Sequence, residues 1–448
     1  MKKFPLHITC ASLAAAIAIA APGGFVAAPY DPFVGDWETQ TPVMPVAQVI
    51  RTGGNAYTVN VMAAFDDDSD TAPIAILQGT LAAGADPKKD PVELSGTDNN
   101  GGRGMWTGEM WPDCCASPHL NLVNVDPRTQ ARQILRLRQC MRPNPTLRAK
   151  PPAGATVLWG INGQNAGAWT SASNRDAPAA GASFATPDAI SGNIQKQDVA
   201  SNAPTAPAGW KLAESGCVLE SAPGAGAIAS REDFGDQRVH LEFRFTGSPA
   251  SASVLVQGVY RVTLNESYAR FDLPPCGVME KTVNAGGSEA AGLAGGGTKP
   301  AARASRPVLE WQTLDIDFRA PRFAGNAGNA GDAGNAGDGN GNGNENGKLA
   351  ARARATVYLN NILLYEDVEL AAPDAPDARA VPDARVASDA RAAPDVRAAP
   401  DARAAPDVRA VPDVPAARAA SRARETPRGP LVLEECGAPV QFRNIWVR

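Results

Sequence analysis

Strict two-residue alternation of apolar and polar side chains constrains this fold more than any other feature of the sequence. In VHLEFRF (239–245) every second residue is apolar, and WQTLDIDF (311–318) repeats the pattern. This period places the apolar residues on one face of a β-strand and the polar residues on the other. No long segment has the period of an amphipathic helix. The sequence therefore predicts two packed antiparallel sheets, with one polar sheet face left free for a binding groove.

Two turn signals interrupt these strands. In TVYLNNILLYEDVEL (356–370), Asn360 and Asn361 separate two apolar runs, and asparagine tolerates the positive φ of a hairpin turn. The last segment, LVLEECGAPVQFRNIWVR (431–448), predicts a strand, a tight turn and a second strand. A carboxylate and a thiol, Glu435 and Cys436, stand side by side at that turn. They are either a reactive pair or the plain end of a hairpin.

The chain begins with a predicted signal peptide over residues 1–28. Lys2 and Lys3 precede the apolar run ITCASLAAAIAIA (8–20), which is too short to span a membrane. Ala18-Ile19-Ala20 has the form of a cleavage site, a later site near Ala28 is an alternative, and an uncleaved anchor is a third reading. No later segment is apolar enough to cross a bilayer. We therefore expect a periplasmic or extracellular protein without a membrane span.

Two domains are expected after the signal. Short strand candidates such as NAYTVNVMAAF and RGMWTGEM predict a small β-rich domain over 30–148. LRAKPPAGATVLW (147–159) then supplies a proline-marked linker and a fresh strand. The second, larger domain is expected over 150–448.

Three low-complexity segments interrupt the larger domain, at about 285–306, 324–347 and 372–428. The second contains no aliphatic residue larger than alanine, so it cannot build the core of a calcium-binding β-helix. The third has a proline every six residues over much of its length, which forbids a continuous helix. All three are predicted to be disordered inserts that carry no chemistry.

Charge and cysteine content exclude several functions. A net charge of -5 without a basic patch argues against a nucleic-acid partner. Beyond Cys10 in the signal there are six cysteines, whose pairing in an oxidising compartment stays open. They form no C-x-x-C motif, which argues against a zinc ribbon. Only His119 and His240 follow the signal, and neither lies beside a nucleophile elbow, so a Ser-His or Cys-His hydrolase is disfavoured.

The segments that follow residue 150 resemble, in order, the 3-keto-disaccharide hydrolase family. The matching stretches are AKPPAGATVLW, GWKLAESGCVLE, FGDQRVHLEFRF, VLVQGVYRVTLNESYA, LEWQTLDIDFRAPRF, VYLNNILLYEDVEL and GPLVLEECGAPVQFRNIWVR. They cover nearly all of 150–448 outside the inserts. The resemblance implies a concanavalin-like jelly roll whose ligand is a carbohydrate, namely a glycoside oxidised to a ketone at C3 of the sugar.

The resemblance also implies a mechanism and a set of site residues. A C3 carbonyl acidifies the C2 hydrogen, so a base can remove this proton while the C1 oxygen leaves, and water adds afterwards. A metal ion or a hydrogen-bond donor would stabilise the enolate. The chain has no metal-ligand motif, so no metal ligand is predicted and the cofactor is left open. The candidate base is Glu435 or Glu266, and the substrate-binding candidates are Glu242, Gln257, Tyr260, Glu280 and Cys436.

The sequence departs from the family pattern at polar positions. The family's Asp-His-Gly bend is Glu435-Cys436-Gly437 here, and Arg261 follows the tyrosine where the family has an acid. A thiol thus replaces an imidazole, and weak or absent activity is expected. The alternative function is a non-catalytic carbohydrate-binding jelly roll. A structural disulfide between Cys436 and Cys276 is a further alternative for the bend.

Overall fold

The computed structural model describes residues 26–27, 30–40, 45–99, 104–112, 118–163, 165–172, 209–280, 282–283, 298–323, 349–371, 425–436 and 438–448. The described residues form an all-β jelly roll preceded by a smaller all-β domain, which confirms the two packed sheets that the alternation predicts and the jelly roll that the family resemblance implies. Two 3₁₀ turns, Ala166–Ala168 and Glu214–Gly216, also occur. Among the described residues, no helix has the length and apolarity to cross a membrane.

The first nine strands belong mainly to an antiparallel sheet that closes on itself. They are β1 (Val26–Ala27), β2 (Gly35–Thr39), β3 (Val46–Gly53), β4 (Ala56–Met62), β5 (Ala75–Thr80), β6 (Val92–Asp98), β7 (Met105–Trp111), β8 (His119–Val125) and β9 (Arg132–Cys140). Strands β2 to β9 pair in sequence order, and β2 also pairs with β9. Closure leaves no sheet edge, and inward side chains such as Trp37, Tyr57 and Leu77 form the core.

Most of the later strands build the jelly roll from a nine-stranded sheet and a six-stranded sheet. The later strands are β10 (Thr156–Trp159), β11 (Trp169–Ser171), β12 (Lys211–Ala213), β13 (Val218–Glu220), β14 (Ile228–Ser230), β15 (Gln237–Phe245), β16 (Gly247–Ser248), β17 (Ser251–Val256), β18 (Tyr260–Asn265), β19 (Val278–Met279), β20 (Thr282–Val283), β21 (Gln312–Arg319), β22 (Arg322–Phe323), β23 (Leu349–Ala351), β24 (Arg354–Leu359), β25 (Ile362–Leu370), β26 (Val432–Glu435) and β27 (Val440–Val447).

The two sheets pack through their apolar faces. The nine-stranded sheet has the order β12-β13-β27-β15-β21-β24-β25-β20, with β10 also paired to β27, and the six-stranded sheet has the order β11-β14-β26-β17-β18-β19. The alternating residues Leu241 and Phe243 of β15 and Leu314 and Ile316 of β21 lie in the shared core, as predicted. Asn360 has a φ of 54° at the hairpin between β24 and β25, which confirms the predicted turn.

The predicted hairpin at the end of the chain is wrong. Both of its strands exist, but β26 pairs with β14 and β17 in the six-stranded sheet, whereas β27 pairs with β10, β13 and β15 in the nine-stranded sheet. The chain therefore crosses from one sheet to the other after Cys436. Ser221 fixes the start of β27 after this crossing, because its hydroxyl accepts a hydrogen bond from the Val440 N–H at 2.8 Å.

The boundaries of two predicted inserts also need correction. Residues 298–306 are packed rather than disordered: Ala304 and Arg306 are buried, and the Ala301 N–H donates to the Leu364 carbonyl at 3.0 Å. Glu425, at the end of the proline-rich segment, accepts a hydrogen bond from the Tyr260 hydroxyl at 3.1 Å. Composition resembles that of a loop in both places, but tertiary contacts order them. The remaining insert residues lie outside the described ranges.

The end of the predicted signal takes part in pairing. Val26 and Ala27 form β1, which pairs antiparallel with Gly247 and Ser248 of β16. Cleavage after Ala20 would keep this pair of strands, whereas cleavage near Ala28 would remove it.

The closed sheet and the jelly roll meet through buried charged groups. Arg142, which follows β9, donates from Nε to Asp36 Oδ2 at 2.6 Å and from a terminal nitrogen to the Ser305 carbonyl at 2.9 Å. The Tyr268 hydroxyl of the jelly roll donates to the other Asp36 oxygen at 2.8 Å. Because Asp36 and Tyr268 are buried, this network ties the two bodies together without exposing its charges.

The ends of the second insert are already close in space. Phe323 of β22 pairs with Leu349 of β23, so a short turn can join them. Replacing residues 324–347 by a four-residue Gly-Ser turn is expected to keep the melting temperature or raise it slightly. The shorter loop costs less closure entropy, by on the order of 1 kcal/mol. Differential scanning calorimetry checks this, and loss of a cooperative transition would show that the insert belongs to the folded core.

Candidate functional site

The outer face of the six-stranded sheet carries a cluster of polar side chains. Along β17, Ala252 and Val254 point into the core, so Ser251 and Ser253 point outward. Along β18, Val262 and Leu264 are buried in the core, so Arg261 and Thr263 share the outer face with the serines. Strand β17 lies between β18 and β26, which brings side chains of three strands together.

Arg261 connects the two carboxylates of this face. Its guanidinium forms an ion pair with Glu434, and its Nε lies 3.6 Å from Glu280 Oε2. The Thr263 hydroxyl donates to Glu280 Oε1 at 3.0 Å. The pairing follows from register: Glu434 on β26 lies opposite Ser253, which lies opposite Thr263 on β18. One guanidinium, two carboxylates and the Thr263 hydroxyl thus form a half-buried polar site on the outer sheet face, and the Ser253 hydroxyl beside it is buried.

Cys436 lies at the edge of the same cluster. Its Sγ is 3.9 Å from the Ser253 Oγ, and the thiol is free. Cys436 as a residue is exposed, but desolvation of its thiol raises the thiol pKa. The negative charge of Glu434 raises this pKa further, and the positive charge of Arg261 lowers it. The thiol is therefore protonated near neutral pH. Cys276 is also a free thiol and buried, so the alternative disulfide between the two does not form.

The two predicted bases lie beside this cluster rather than within it. The Glu435 carboxylate accepts a hydrogen bond from the Gly224 N–H at 3.2 Å, on a loop of another segment. Glu266, just beyond β18, accepts a hydrogen bond from the Ser248 hydroxyl at 2.6 Å. Burial raises the pKa of Glu266. Strand alternation explains the placement of Glu435, since its neighbour Glu434 has the outward position.

Gln257 and Tyr260 lie at the turn that joins strands β17 and β18. Gln257 occupies the turn between them, with a φ of 55°, and donates from Nε2 to the Phe234 carbonyl at 3.1 Å. The Tyr260 ring is buried in the core between the sheets and packs at 5.2 Å from the Phe318 ring. Both residues hold the scaffold, and neither reaches the polar cluster.

Glu242 lies on the other sheet. It is fully buried on the outer face of the nine-stranded sheet, beneath the segment that links the two bodies. Burial opposes its ionisation, but the neighbouring His240 imidazole and hydrogen bonds from Asn444 and Arg443 outweigh that effect and hold the Glu242 pKa below its usual range. Arg443 Nε donates to Glu242 Oε2 at 2.7 Å. The structure thus brings together only Glu280 and Cys436 of the predicted site residues.

The cluster does not suit a metal ion. Within the described ranges, no group of three or more His, Cys, Asp and Glu side chains could hold one. The two carboxylates of the cluster, Glu280 and Glu434, are both within ion-pair distance of Arg261, whose charge would repel a bound cation. The cluster could instead stabilise a developing negative charge through its hydrogen-bond donors, the Arg261 guanidinium and the Thr263 hydroxyl.

The described residues thus form a β-sandwich with hydroxyl, carboxylate and guanidinium groups clustered on one outer sheet face. The model of the 3-keto-alpha-glucoside-1,2-lyase-like domain matches residues 154–448, and the chain belongs to this family. The resemblance of the strand sequences to the 3-keto-disaccharide hydrolases is thereby confirmed.

Solved structures show more distant similarity. One protein of Parabacteroides distasonis, provisionally described as a glycosyl hydrolase, is 18% identical, with a TM-score of 0.33 over 66% of this chain and 84% of that chain. A second protein of that organism, described in the same way, is 11% identical, with a TM-score of 0.26 over 55% of this chain and 85% of that chain. No curated protein matches the chain.

Proposed function

We propose that this chain is an exported protein that binds 3-keto-glycosides on the outer face of the six-stranded sheet and cleaves them slowly. The observation that carries the proposal is Arg261, which lies between Glu280 and Glu434 on a face that also presents Thr263. Carboxylates and hydroxyl groups bind sugar hydroxyls, and a guanidinium binds a carbonyl oxygen. The charged and apolar start of the chain supports export.

The cluster offers a base and a donor for elimination from a 3-keto sugar. Glu280 removes the C2 proton, and the C2–H electron pair forms the enolate, with a C2=C3 double bond and the negative charge on the C3 oxygen. The enolate then collapses: the C3 carbonyl re-forms, a C1=C2 double bond forms and the C1–O bond breaks. Arg261 donates hydrogen bonds to the C3 oxygen as negative charge develops there. The leaving oxygen takes a proton from water, and a second water then adds to the sugar. This assignment replaces Glu435 and Glu266 as base, because their carboxylates bind Gly224 and Ser248 outside the cluster.

One observation favours a binding module without chemistry. Arg261 lies near both Glu280 and Glu434, and the Cys436 thiol stays protonated, so each acid–base group of the face is already engaged. A bound sugar would then meet a fixed set of hydrogen-bond partners and no competent proton donor. Turnover of a 3-keto-glucoside separates this second function from the first.

Binding at the cluster gives a direct test. Replacing Glu280 by Gln is expected to weaken binding of a 3-keto-glucoside about tenfold, because a hydrogen bond to a charged group contributes about 1.5–3 kcal/mol. Isothermal titration calorimetry measures the change. Glu266→Gln is the matched control, since Glu266 binds Ser248 outside the cluster and should leave the affinity unchanged.

The reverse result would move the site. If Glu266→Gln weakens binding and Glu280→Gln does not, the ligand lies at the end of β18 and not over Arg261. If neither the 3-keto-glucoside nor the parent glucoside binds, the outer face is not a sugar site.

A further inference from the structure

A second polar pocket lies on the opposite side of the jelly roll. It has a volume of about 250 Å³ and opens on the outer face of the nine-stranded sheet. Arg148 and Arg443 line it together with Asn162, Glu214 and Cys217. Its residues belong to other strands and loops than those of the six-stranded sheet, so this pocket is separate from the proposed sugar site.

A single buried carboxylate positions both arginines. Glu242 Oε1 accepts a hydrogen bond from the Arg148 backbone N–H, and Glu242 Oε2 accepts one from Arg443 Nε at 2.7 Å. Arg148 has a φ of 62°, a left-handed conformation that is uncommon for residues other than glycine. Such conformations persist where surrounding contacts enforce them, and they concentrate at functional sites. Here the contact with Glu242 enforces it.

The guanidinium of Arg443 is fixed in position, but not all of its hydrogen-bond donors are used. It stacks over the Trp311 ring at 3.8 Å from the centroid, and only its Nε has a hydrogen-bond partner among the described residues. The terminal nitrogens therefore keep free donors beside the pocket. Arg148 is exposed, and its side-chain nitrogens also have no hydrogen-bond partner within the described ranges. Arg148 and Arg443 thus both bring unpaired N–H donors to the same pocket.

The charges around the pocket leave a positive excess. Glu214 is paired with Arg244, and Glu242 is paired with Arg443. Arg148 then remains as an unneutralised cation. His240 lies next to Glu242, with its Nε2 4.0 Å from Glu242 Oε1, and its Nδ1 is 2.8 Å from Asp315 Oδ1. An imidazole adds no negative charge to the pocket.

We propose that this pocket binds an oxyanion group, a carboxylate or a sulfate or phosphate ester, carried by a small acidic ligand. The planar donor fork of arginine matches the oxygens of such groups in paired hydrogen bonds. Arg443 supplies a preorganised fork, because stacking on the Trp311 ring and the hydrogen bond to Glu242 fix the plane of its guanidinium. Arg148 supplies the second charge, and Glu242 is the positioning residue for both.

The test compares anionic and neutral probes at constant ionic strength. Titration calorimetry of the full chain with glucuronate, sulfate and phosphate is expected to show saturable binding, whereas glucose should give none at this pocket. Arg148→Met should weaken binding of the anions at least tenfold, the order expected for charge-assisted hydrogen bonds. Arg148→Lys keeps the charge without the fork and should give an intermediate affinity.

The nine-stranded sheet also offers a control variant for this experiment. Arg238→Met removes an exposed arginine of β15 that is paired with Asp317 outside the pocket, and it should leave the affinity unchanged. Binding of glucuronate but not of sulfate or phosphate would assign the pocket to acidic sugars, and binding of all three would assign it to oxyanions in general. Equal affinities in Arg148→Met and the unmodified chain, or no binding of any anion, would overturn the proposal.

Discussion

Replacing Arg142 by Met is expected to lower the free energy of unfolding by about 3–5 kcal/mol, the usual cost of removing one partner from a buried ion pair. The Arg142 side chain is only 6% exposed and Asp36 only 3% exposed, so water cannot solvate the carboxylate that remains. Asp36 would keep two neutral donors, Gln48 at 3.0 Å and Tyr268 at 2.8 Å. Urea unfolding followed by tryptophan fluorescence measures the loss.

Two variants make this prediction specific. Arg136→Met removes an exposed arginine of the same strand, β9, and should change stability by less than about 0.5 kcal/mol. Asp36→Asn combined with Arg142→Met removes the stranded charge and should recover part of the loss. If Arg142→Met is no less stable than Arg136→Met, the network does not couple the closed sheet to the jelly roll.

Local pattern predicts the strands of this protein because the alternation records which face is buried. The core positions of β15 and β21 follow directly from it, and so does the asparagine turn at Asn360. The pattern does not tell what covers the opposite face. His240 and Glu242 read as polar outward residues, and they are outward, but the linker packs over them and buries both. That contact joins residues far apart in sequence, so no local period contains it.

The site shows the same limit. Alternation assigns Arg261 and Thr263 to the outer face of β18, and counting outward from the buried Leu433 assigns Glu434. The predicted base is its neighbour Glu435 or the more distant Glu266, and the family resemblance is what draws attention to the bend. The geometry of the bend could not be predicted for a physical reason: β26 and β27 belong to different sheets, so the chain crosses to the other sheet after Cys436 instead of forming a hairpin. Strand pairing partners are long-range information that the sequence pattern lacks.

Replacing Cys436 by His is expected to raise turnover of a 3-keto-glucoside about a hundredfold over the unmodified chain. A positioned general acid contributes at least about this factor. The protonated thiol has a raised pKa and is a poor proton donor, whereas an imidazolium with a pKa of about 6.5 can protonate the leaving C1 oxygen. Because Cys436 is exposed at its edge, the larger ring can be accommodated.

Arg261 has to stay in this experiment. An acid at position 261 matches the family pattern, but it would face Glu280 and Glu434 and place three carboxylates together without a cation. The measurement is initial rate against pH in the unmodified chain, Cys436→His and Cys436→Ser. The gain in Cys436→His should shrink as pH rises above about 6.5, where the imidazolium loses its proton, and Cys436→Ser should show no gain. A Cys436→His chain that binds the sugar but turns it over no faster would mean that proton transfer to the leaving oxygen does not limit turnover. If all three chains bind the sugar and none turns it over, the protein is a binding module.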